Sequence, residues 1–241
     1  MHELEYEVRA QGDQYYILEN GSLYFATSNI TSFTQHLSLR IHERAFEDFA
    51  DCVRIHAGCG EYRGNRFLVV GDSGAGKTTL MVRLLFEGFK VGGDELVMLS
   101  GGESFPFPRR FHVKEHSLSL LPELRNYIEK DYPHIDDVNE KKIYAFSPSY
   151  AGFNWEIRKQ QIAALFYLEP NRASETEINH CPKYLMVQKT MPRTFFSVTH
   201  EHKKIGELCR LVDQSSCYSL QLGSLDGAVD QIRKVLDRVC E

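Results

Sequence analysis

The sequence has little of what marks a membrane-spanning, secreted or nucleic-acid-binding protein. Its 241 residues contain no apolar run near the ~18 residues that a spanning helix needs. The opening MHELEYEVRA is charged where a signal peptide carries an apolar core. A net charge of −5 argues against general binding to nucleic acid or acidic membranes. We therefore expect a cytoplasmic protein with neither a membrane nor a nucleic acid as partner.

The sequence also lacks closely spaced cysteine pairs, internal repeats and low-complexity tracts. Its 6 cysteines are scattered with no CxxC, which favours reduced thiols over disulfides or zinc. A hydrophobic content of 42% suits one globular domain with a small appendage. We expect residues 1–50 to form an N-terminal lead-in subdomain and residues 51–241 to form the main domain.

What the sequence does contain is a glycine-rich stretch directly after the apolar run Phe67–Val70. Residues 71–80 read GDSGAGKTTL and match the pattern Gly-x-x-x-x-Gly-Lys-Thr. Such glycines turn the chain so that amide N–H groups point inward, and the positive end of the next helix faces the anion. Lys77 can reach the β and γ phosphates, and the Thr78 hydroxyl can ligate Mg²⁺. The predicted nucleotide-binding residues are Gly71, Asp72, Ser73, Gly74, Ala75, Gly76, Lys77, Thr78 and Thr79.

Two carboxylates, Asp94 and Glu95, follow at a spacing that returns them to this loop. Residues 77–87 read as a helix rising about 16 Å, and residues 89–94 read as an extended segment covering about 20 Å. The acids should therefore arrive level with the loop, where they become candidate Mg²⁺ ligands and a candidate base. Neighbouring residues of a strand face opposite ways, so we expect one acid to face the site unless Gly92 and Gly93 kink the backbone.

GDSGAGKTTL, GFKVGGDELVML (88–99) and RIHAG (54–58) together resemble the catalytic domain of HPr serine kinase/phosphorylase and its relatives. FPFPRRFHVKEHSLSLLPEL (105–124) resembles a segment of related kinases outside sugar-transport control. The resemblance implies a P-loop-containing, phosphoenolpyruvate-carboxykinase-like α/β fold, with a mixed central sheet and flanking helices. It also implies that residues 51–241 are a nucleotide-binding catalytic domain that uses ATP and Mg²⁺.

The same resemblance implies roles for individual residues. Asp94 would take the proton from the acceptor hydroxyl, and His56 would lie near the reacting groups and assist an adjacent acid. A simple hairpin, with Val53–Ala57 as one strand and the turn at Gly58, Gly60 and Gly64, instead places His56 away from the loop. A strand histidine is also commonly a packed side chain, so both interpretations stay open.

Arginines near the site are candidates to hold the acceptor or the transferring phosphoryl group. Arg109 and Arg110 follow two prolines and should lie on a turn, where a solvated basic turn is the alternative. Arg158 precedes the apolar run 162–168, a predicted buried strand, and Arg193 is a further candidate. His112 and His116 would share a helix face, but no third ligand at suitable spacing supports a metal pair.

Other elements follow from simple patterns. Asn20-Gly21 predicts a tight hairpin, and apolar spacing predicts a short helix before Cys52. Residues 218–222 alternate as a strand, and residues 228–239 form an amphipathic pattern typical of a C-terminal helix. Residues 124–142, polar and interrupted by a proline, suggest a lid or a surface linker. Aromatics near the N-terminus fit core packing or a subunit contact, which leaves a homo-oligomer open.

We expect phosphoryl transfer from a nucleoside triphosphate to the hydroxyl of a peptide or protein serine, or of a small metabolite. One alternative is a nucleotide-binding regulator that hydrolyses slowly; the pair of acids soon after the loop favours the kinase. Another alternative is a carboxykinase-like enzyme, although the chain is much shorter and the metal-ligand set of such enzymes is not visible.

Overall fold

The computed structural model describes residues 5–47, 49, 52–128, 134–136, 142–171, 175–195 and 201–239. The chain divides into two compact units, residues 1–50 and residues 51–241. Among the described residues, no helix is both long enough and apolar enough to cross a bilayer.

The first unit is a three-stranded antiparallel sheet followed by one helix. Its elements are β1 (Tyr6–Gln11), β2 (Gln14–Glu19), β3 (Ser22–Thr27) and α1 (Ile30–Glu47). Asn20 and Gly21 both have positive φ, 49° and 76°, as a tight turn between β2 and β3 requires. The predicted hairpin is therefore confirmed. The predicted short helix is longer than expected, since α1 begins at Ile30 and spans 18 residues.

The second unit contains the other strands and helices of the described residues. The strands are β4 (Val53–Ile55), β5 (Ala57–Tyr62), β6 (Asn65–Gly71), β7 (Lys90–Gly93), β8 (Val97–Ser100), β9 (Glu103–Pro106), β10 (Phe111–Lys114), β11 (His134–Asp136), β12 (Lys142–Phe146), β13 (Ile162–Pro170), β14 (Glu177–His180), β15 (Thr194–Phe195) and β16 (Ser216–Leu222). The helices are α2 (Lys77–Phe86), α3 (Arg125–Ile128), α4 (Lys183–Thr190), α5 (Glu201–Gln214) and α6 (Leu225–Val239), with 3-10 turns at Glu115–Leu120, Pro122–Leu124, Pro148–Ala151 and Met191–Arg193.

These strands form three sheets. The largest is a mixed six-stranded sheet with the strand order β14-β16-β13-β6-β5-β7, and strands β6, β13 and β16 run parallel at its centre. A four-stranded sheet (β15-β4-β8-β9) and a three-stranded sheet (β10-β12-β11) accompany it.

Hydrophobic packing covers both faces of the six-stranded sheet. Along β6, Phe67 and Val69 join the cluster formed with α2 and α6, whereas Leu68 and Val70 join the cluster formed with α4 and α5. This follows from the two-residue period of a strand. The predicted strands at 162–168 and 218–222 and the predicted C-terminal helix are confirmed. The end of β6 and the start of α2 therefore lie at the carboxyl ends of the parallel strands of the central sheet.

The glycine-rich segment after β4 differs from the expected turn. Gly58 and Gly60 lie inside β5, and the turn into β6 falls at Arg63 and Gly64. A Cβ atom on Gly58 would lie 2.7 Å from the Met81 side chain. These two glycines therefore serve close packing against α2 and β6 rather than chain reversal.

Gly60 gives a direct test of this packing. A Cβ atom there would lie 2.4 Å from the ring of Phe67, which is fully buried. We expect Gly60→Ala to lower the free energy of unfolding by about 1–3 kcal/mol through overpacking. Gly206→Ala is the control, because Gly206 lies in α5 with no atom within 4 Å of a new Cβ. That variant should stabilise the protein by about 0.5–1 kcal/mol. Urea unfolding measures both, and equal effects of the two changes would contradict the packing described here.

Candidate functional site

The glycine-rich loop lies between β6 and α2, as its sequence predicts. Gly74 and Gly76 have φ values of 81° and 103°, a backbone region that suits glycine. Helix α2 begins at Lys77, and no described side chain caps its first turn. The first N–H groups of α2 therefore stay available to an anion.

Lys77 is held at the start of α2 by neutral acceptors. Its Nζ donates hydrogen bonds to the carbonyl oxygens of Gly71 (2.7 Å) and Asp72 (3.1 Å). The side chain is only 7% exposed. Burial is the main cause that lowers the pKa of Lys77, and the acids Glu95 and Asp94 oppose it. Because carbonyls carry no formal charge, this arrangement leaves the lysine charge free to meet a phosphate.

Asp94 returns to the loop along the predicted route. Helix α2 leads through Gly88 into β7, and Gly93, with φ of 145°, bends the chain just before the acid. The Thr78 hydroxyl donates to the Asp94 carboxylate at 2.5 Å. Asp94 is 4% exposed. Burial raises its pKa to about 6, although the hydrogen bond from Thr78 acts in the opposite direction.

Glu95 and His56 meet beside Asp94. The Arg109 guanidinium lies 2.9 Å from Glu95 Oε1, and His56 Nε2 lies 3.9 Å from Glu95 Oε2. Burial is the main cause that lowers the pKa of His56, while Glu95 raises it and Lys77 adds to the lowering. His56 is therefore a neutral imidazole near neutral pH, able to accept or pass on a proton.

Of the two placements left open for His56, the structure agrees with the one beside the loop and not with the one that a simple hairpin gives. The strand that pairs with β6 is β5, with Ala57 opposite Val70. His56, one residue before β5, thus lies level with Gly71 at the head of the loop. The sequence pattern could not show this, because it depends on which residues of segment 53–62 pair with β6.

Both acids line one cleft of about 340 Å³ beside the loop, rather than one acid facing in and one out. The lining residues are His56, Ser73, Gly74, Gly76, Lys77, Thr78, Thr79, Asp94, Glu95, His112, Val113, Lys114, His116 and Ser117. Gly71, Asp72 and Ala75 shape the loop without lining the cleft. The bend at Gly93 removes the strict alternation that a strand would impose.

The oxygen donors of this cleft fit a magnesium ion held with a phosphate. Mg²⁺ in phosphoryl-transfer sites binds one or two carboxylates together with substrate oxygens. The adjacent Thr78 hydroxyl and Asp94 carboxylate supply such a set. Among the described residues, no group of three or more His, Cys, Asp or Glu side chains could hold a metal by itself. Thr78 and Asp94 could hold such an ion together with phosphate oxygens.

The arginine candidates separate in space. Arg109 reaches the cleft through Glu95, as described above. Arg110 instead lies over the ring of Tyr150, 5.7 Å from its centroid. Arg158 pairs with Glu61 at 2.7 Å and with Glu156 at 3.1 Å, beside the Lys90 end of β7 rather than the Gly93 end. The structure thus brings Arg109 to the acids and leaves Arg110 and Arg158 elsewhere.

Two further residues contact Asp72 of the loop, and no sequence motif predicts either contact. Arg193, which had no motif to support it, pairs with Asp72, and the Tyr167 hydroxyl donates to the same carboxylate at 3.1 Å. The bond from Arg193 is the main cause that lowers the pKa of Asp72. No local signal could have connected positions so far apart in sequence.

The expected helix carrying His112 and His116 is wrong, although both residues line the cleft. His112 lies on β10, and His116 lies on the 3-10 turn that follows. Burial is the main cause that lowers the pKa of His112. The segment 124–142, predicted to be a lid or a surface linker, includes residues 129–133 and 137–141, which lie outside the described residues.

Neither protein-family models nor curated proteins match this chain. Among solved structures, the Hpr(Ser) kinase/phosphatase from Coxiella burnetii is similar over 66% of this chain and 88% of that chain. The identity is 11% and the TM-score is 0.30, too low for the likeness to carry an argument. The functional conclusion therefore rests on the residues of the cleft.

The raised pKa of Asp94 predicts a pH-dependent cost in stability. With a pKa near 6 when folded and an ordinary value of 3.8, Asp94 favours the folded state most below pH 3.8 and loses that contribution as pH rises through 6. Asparagine cannot ionise. We expect Asp94→Asn to gain stability relative to wild type by about 2 kcal/mol between pH 4 and pH 7.

Urea unfolding of the apo protein at several pH values measures this difference. Asp13→Asn, on the exposed turn before β2, is the matched control, and its difference from wild type should change by less than about 0.5 kcal/mol. A difference for Asp94→Asn that stays constant across this range would contradict the account of a buried, ionisable acid.

Proposed function

We propose that this protein is a kinase that transfers a phosphoryl group from a nucleoside triphosphate, ATP, to a hydroxyl group with Mg²⁺. The observation that carries the proposal is the contact between Thr78 and the buried Asp94 at the head of α2. It places a carboxylate directly beside an anion-binding loop, and the second acid, Glu95, lines the same cleft. The cleft thus combines groups for phosphate, metal and proton.

The loop and Lys77 bind the donor phosphates in this proposal. The N–H groups at the start of α2 donate to phosphate oxygens, and Lys77 supplies positive charge near the β and γ phosphates. Thr78 and Asp94 hold Mg²⁺, which neutralises charge on the phosphates when it is bound. Catalysis of this kind depends on positioning and charge rather than on a covalent enzyme intermediate.

Proton acceptance is assigned to Glu95. Family resemblance implies Asp94 as the base, but the Thr78 contact favours Asp94 on the metal side. Glu95 is partly exposed to the cleft, oriented by Arg109, and has His56 next to it. As the acceptor oxygen bonds to phosphorus and the bond to the leaving diphosphate breaks, the hydroxyl proton passes to the Glu95 carboxylate.

The finer fold and domain assignments belong to the same proposal. The order strand, loop, helix, strand and acid pair, with His56 directly before the neighbouring strand, is consistent with the phosphoenolpyruvate-carboxykinase-like fold that the sequence resembles. Residues 51–241 would then be the catalytic domain, and residues 1–50 the lead-in subdomain. The acceptor is the serine of a peptide or protein, or a small hydroxyl compound.

Lys77→Ala tests donor binding. The variant should abolish the thermal stabilisation by Mg²⁺ and ATP, because the carbonyl oxygens of Gly71 and Asp72 hold the Lys77 ammonium at the loop. Lys159→Ala, a change at an exposed lysine, is the matched control and should keep the full shift. An unchanged shift in Lys77→Ala would contradict the proposed phosphate site.

Glu95→Gln tests proton acceptance. We expect the variant to bind Mg²⁺ and ATP as wild type does and to lose phosphate transfer by at least about 100-fold, the lower range for a general base. The measurement is phosphate uptake from labelled ATP by a panel of peptides and hydroxyl compounds. The base role would return to Asp94 if Glu95→Gln still transferred phosphate while Asp94→Asn lost transfer and kept its binding of Mg²⁺ and ATP. Slow hydrolysis with no acceptor would favour the regulatory alternative.

A further inference from the structure

A second cleft of about 710 Å³ adjoins the first and shares its loop wall. It runs beside α2 to Arg83, and the 3-10 turns at Glu115–Leu120 and Pro122–Leu124 border it. Its lining residues are Gly74, Gly76, Thr79, Arg83, His116, Ser117, Leu120, Pro122, Glu123, Leu222, Gly223, Ser224, Leu225 and Asp226. Its volume falls within the range of ligand pockets, about 300–1,000 Å³.

The two clefts differ in the cations that they offer to a phosphate. The first has Lys77 and Lys114 among its lining residues, together with Asp94 and Glu95. In the second, Arg83 is the lining cation, and it pairs with Glu87 (3.2 Å), Glu123 (2.6 Å) and Asp226 (2.7 Å). A guanidinium shared by three carboxylates offers little to a phosphate, so the second cleft suits a neutral, partly apolar group.

The walls of the second cleft also supply apolar surface of the kind that a nucleobase packs against. Leu120, which is 55% exposed, and the partly buried Leu222 and Leu225 provide it. Glu123 pairs with Arg83 through Oε1, and its Oε2 is buried, so this carboxylate is not assigned to a ligand.

The positions of the two acids indicate which end of a bound triphosphate lies in which cleft. Asp94 and Glu95 line the first cleft and not the second. The reacting phosphate therefore belongs in the first cleft. The other end of the triphosphate passes Thr79, whose hydroxyl donates a hydrogen bond to the Ser117 hydroxyl at 3.1 Å. Thr79 lines both clefts, so this path leads into the second.

We infer that the second cleft binds the nucleoside half of the donor, with Leu120 against the base. This inference rests on the proposed function and deepens it, because it assigns the part of the molecule that recognises the nucleoside of the donor. Thr79 marks the junction between the phosphate and nucleoside parts of the site.

Isothermal titration of the full chain with Mg²⁺ tests the inference, using adenylyl imidodiphosphate and inorganic tripolyphosphate as ligands. Wild type should bind the nucleotide at least tenfold more tightly than tripolyphosphate. Leu120→Trp, which fills the cleft from an exposed position, should weaken nucleotide binding at least tenfold and leave tripolyphosphate binding unchanged.

Leu39→Trp, at a similarly exposed leucine (53%) on α1, is the control and should change neither affinity. Two results would overturn the nucleoside site and leave the phosphate site intact. In the first, wild type binds both ligands equally. In the second, Leu120→Trp changes neither affinity or changes both by the same factor. Binding of neither ligand by wild type, or of both by Lys77→Ala, would overturn the proposed function and this inference with it.

Discussion

The hydrogen bond from Thr78 to Asp94 is the contact on which the site depends. It requires a helix and a returning strand of matched length, so that a residue sixteen positions later meets the start of α2. It also requires the bend at Gly93, which brings Glu95 into the same cleft as Asp94. With this contact in place, the loop, Lys77 and both acids can act on one phosphate chain.

The same arrangement buries charge. Asp94 and Lys77 are nearly inaccessible to water, and burial shifts the pKa of each towards its neutral form. Burying an ionised group without a full partner costs free energy. We interpret this cost as the property of a binding site: a magnesium ion and phosphate would supply the partners that the apo protein lacks. The protein would then gain stability when its ligand binds.

Local spacing predicted the part of the site that lies within residues 67–95, because one helix and one strand fix their own lengths. The position of His56 stayed open because it depends on the pairing of β5 with β6, which a glycine-rich segment does not specify. Arg193 and Tyr167 meet Asp72 only through the parallel strand β13 and the segment before β15. The grouping of Arg158 with Glu61 likewise arises from packing across strands, which no motif encodes.

The most direct test of the central claim is the ratio of the Mg²⁺–ATP affinities of wild type and Asp94→Asn, measured from pH 4.5 to pH 8. The ratio cancels the titration of ATP itself. Ionised Asp94 shares the metal with Thr78 in this account, so the ratio should stay near one at low pH and rise to about ten or more, at least 1.4 kcal/mol, as pH passes 6. A ratio that remains flat across this range would contradict the account.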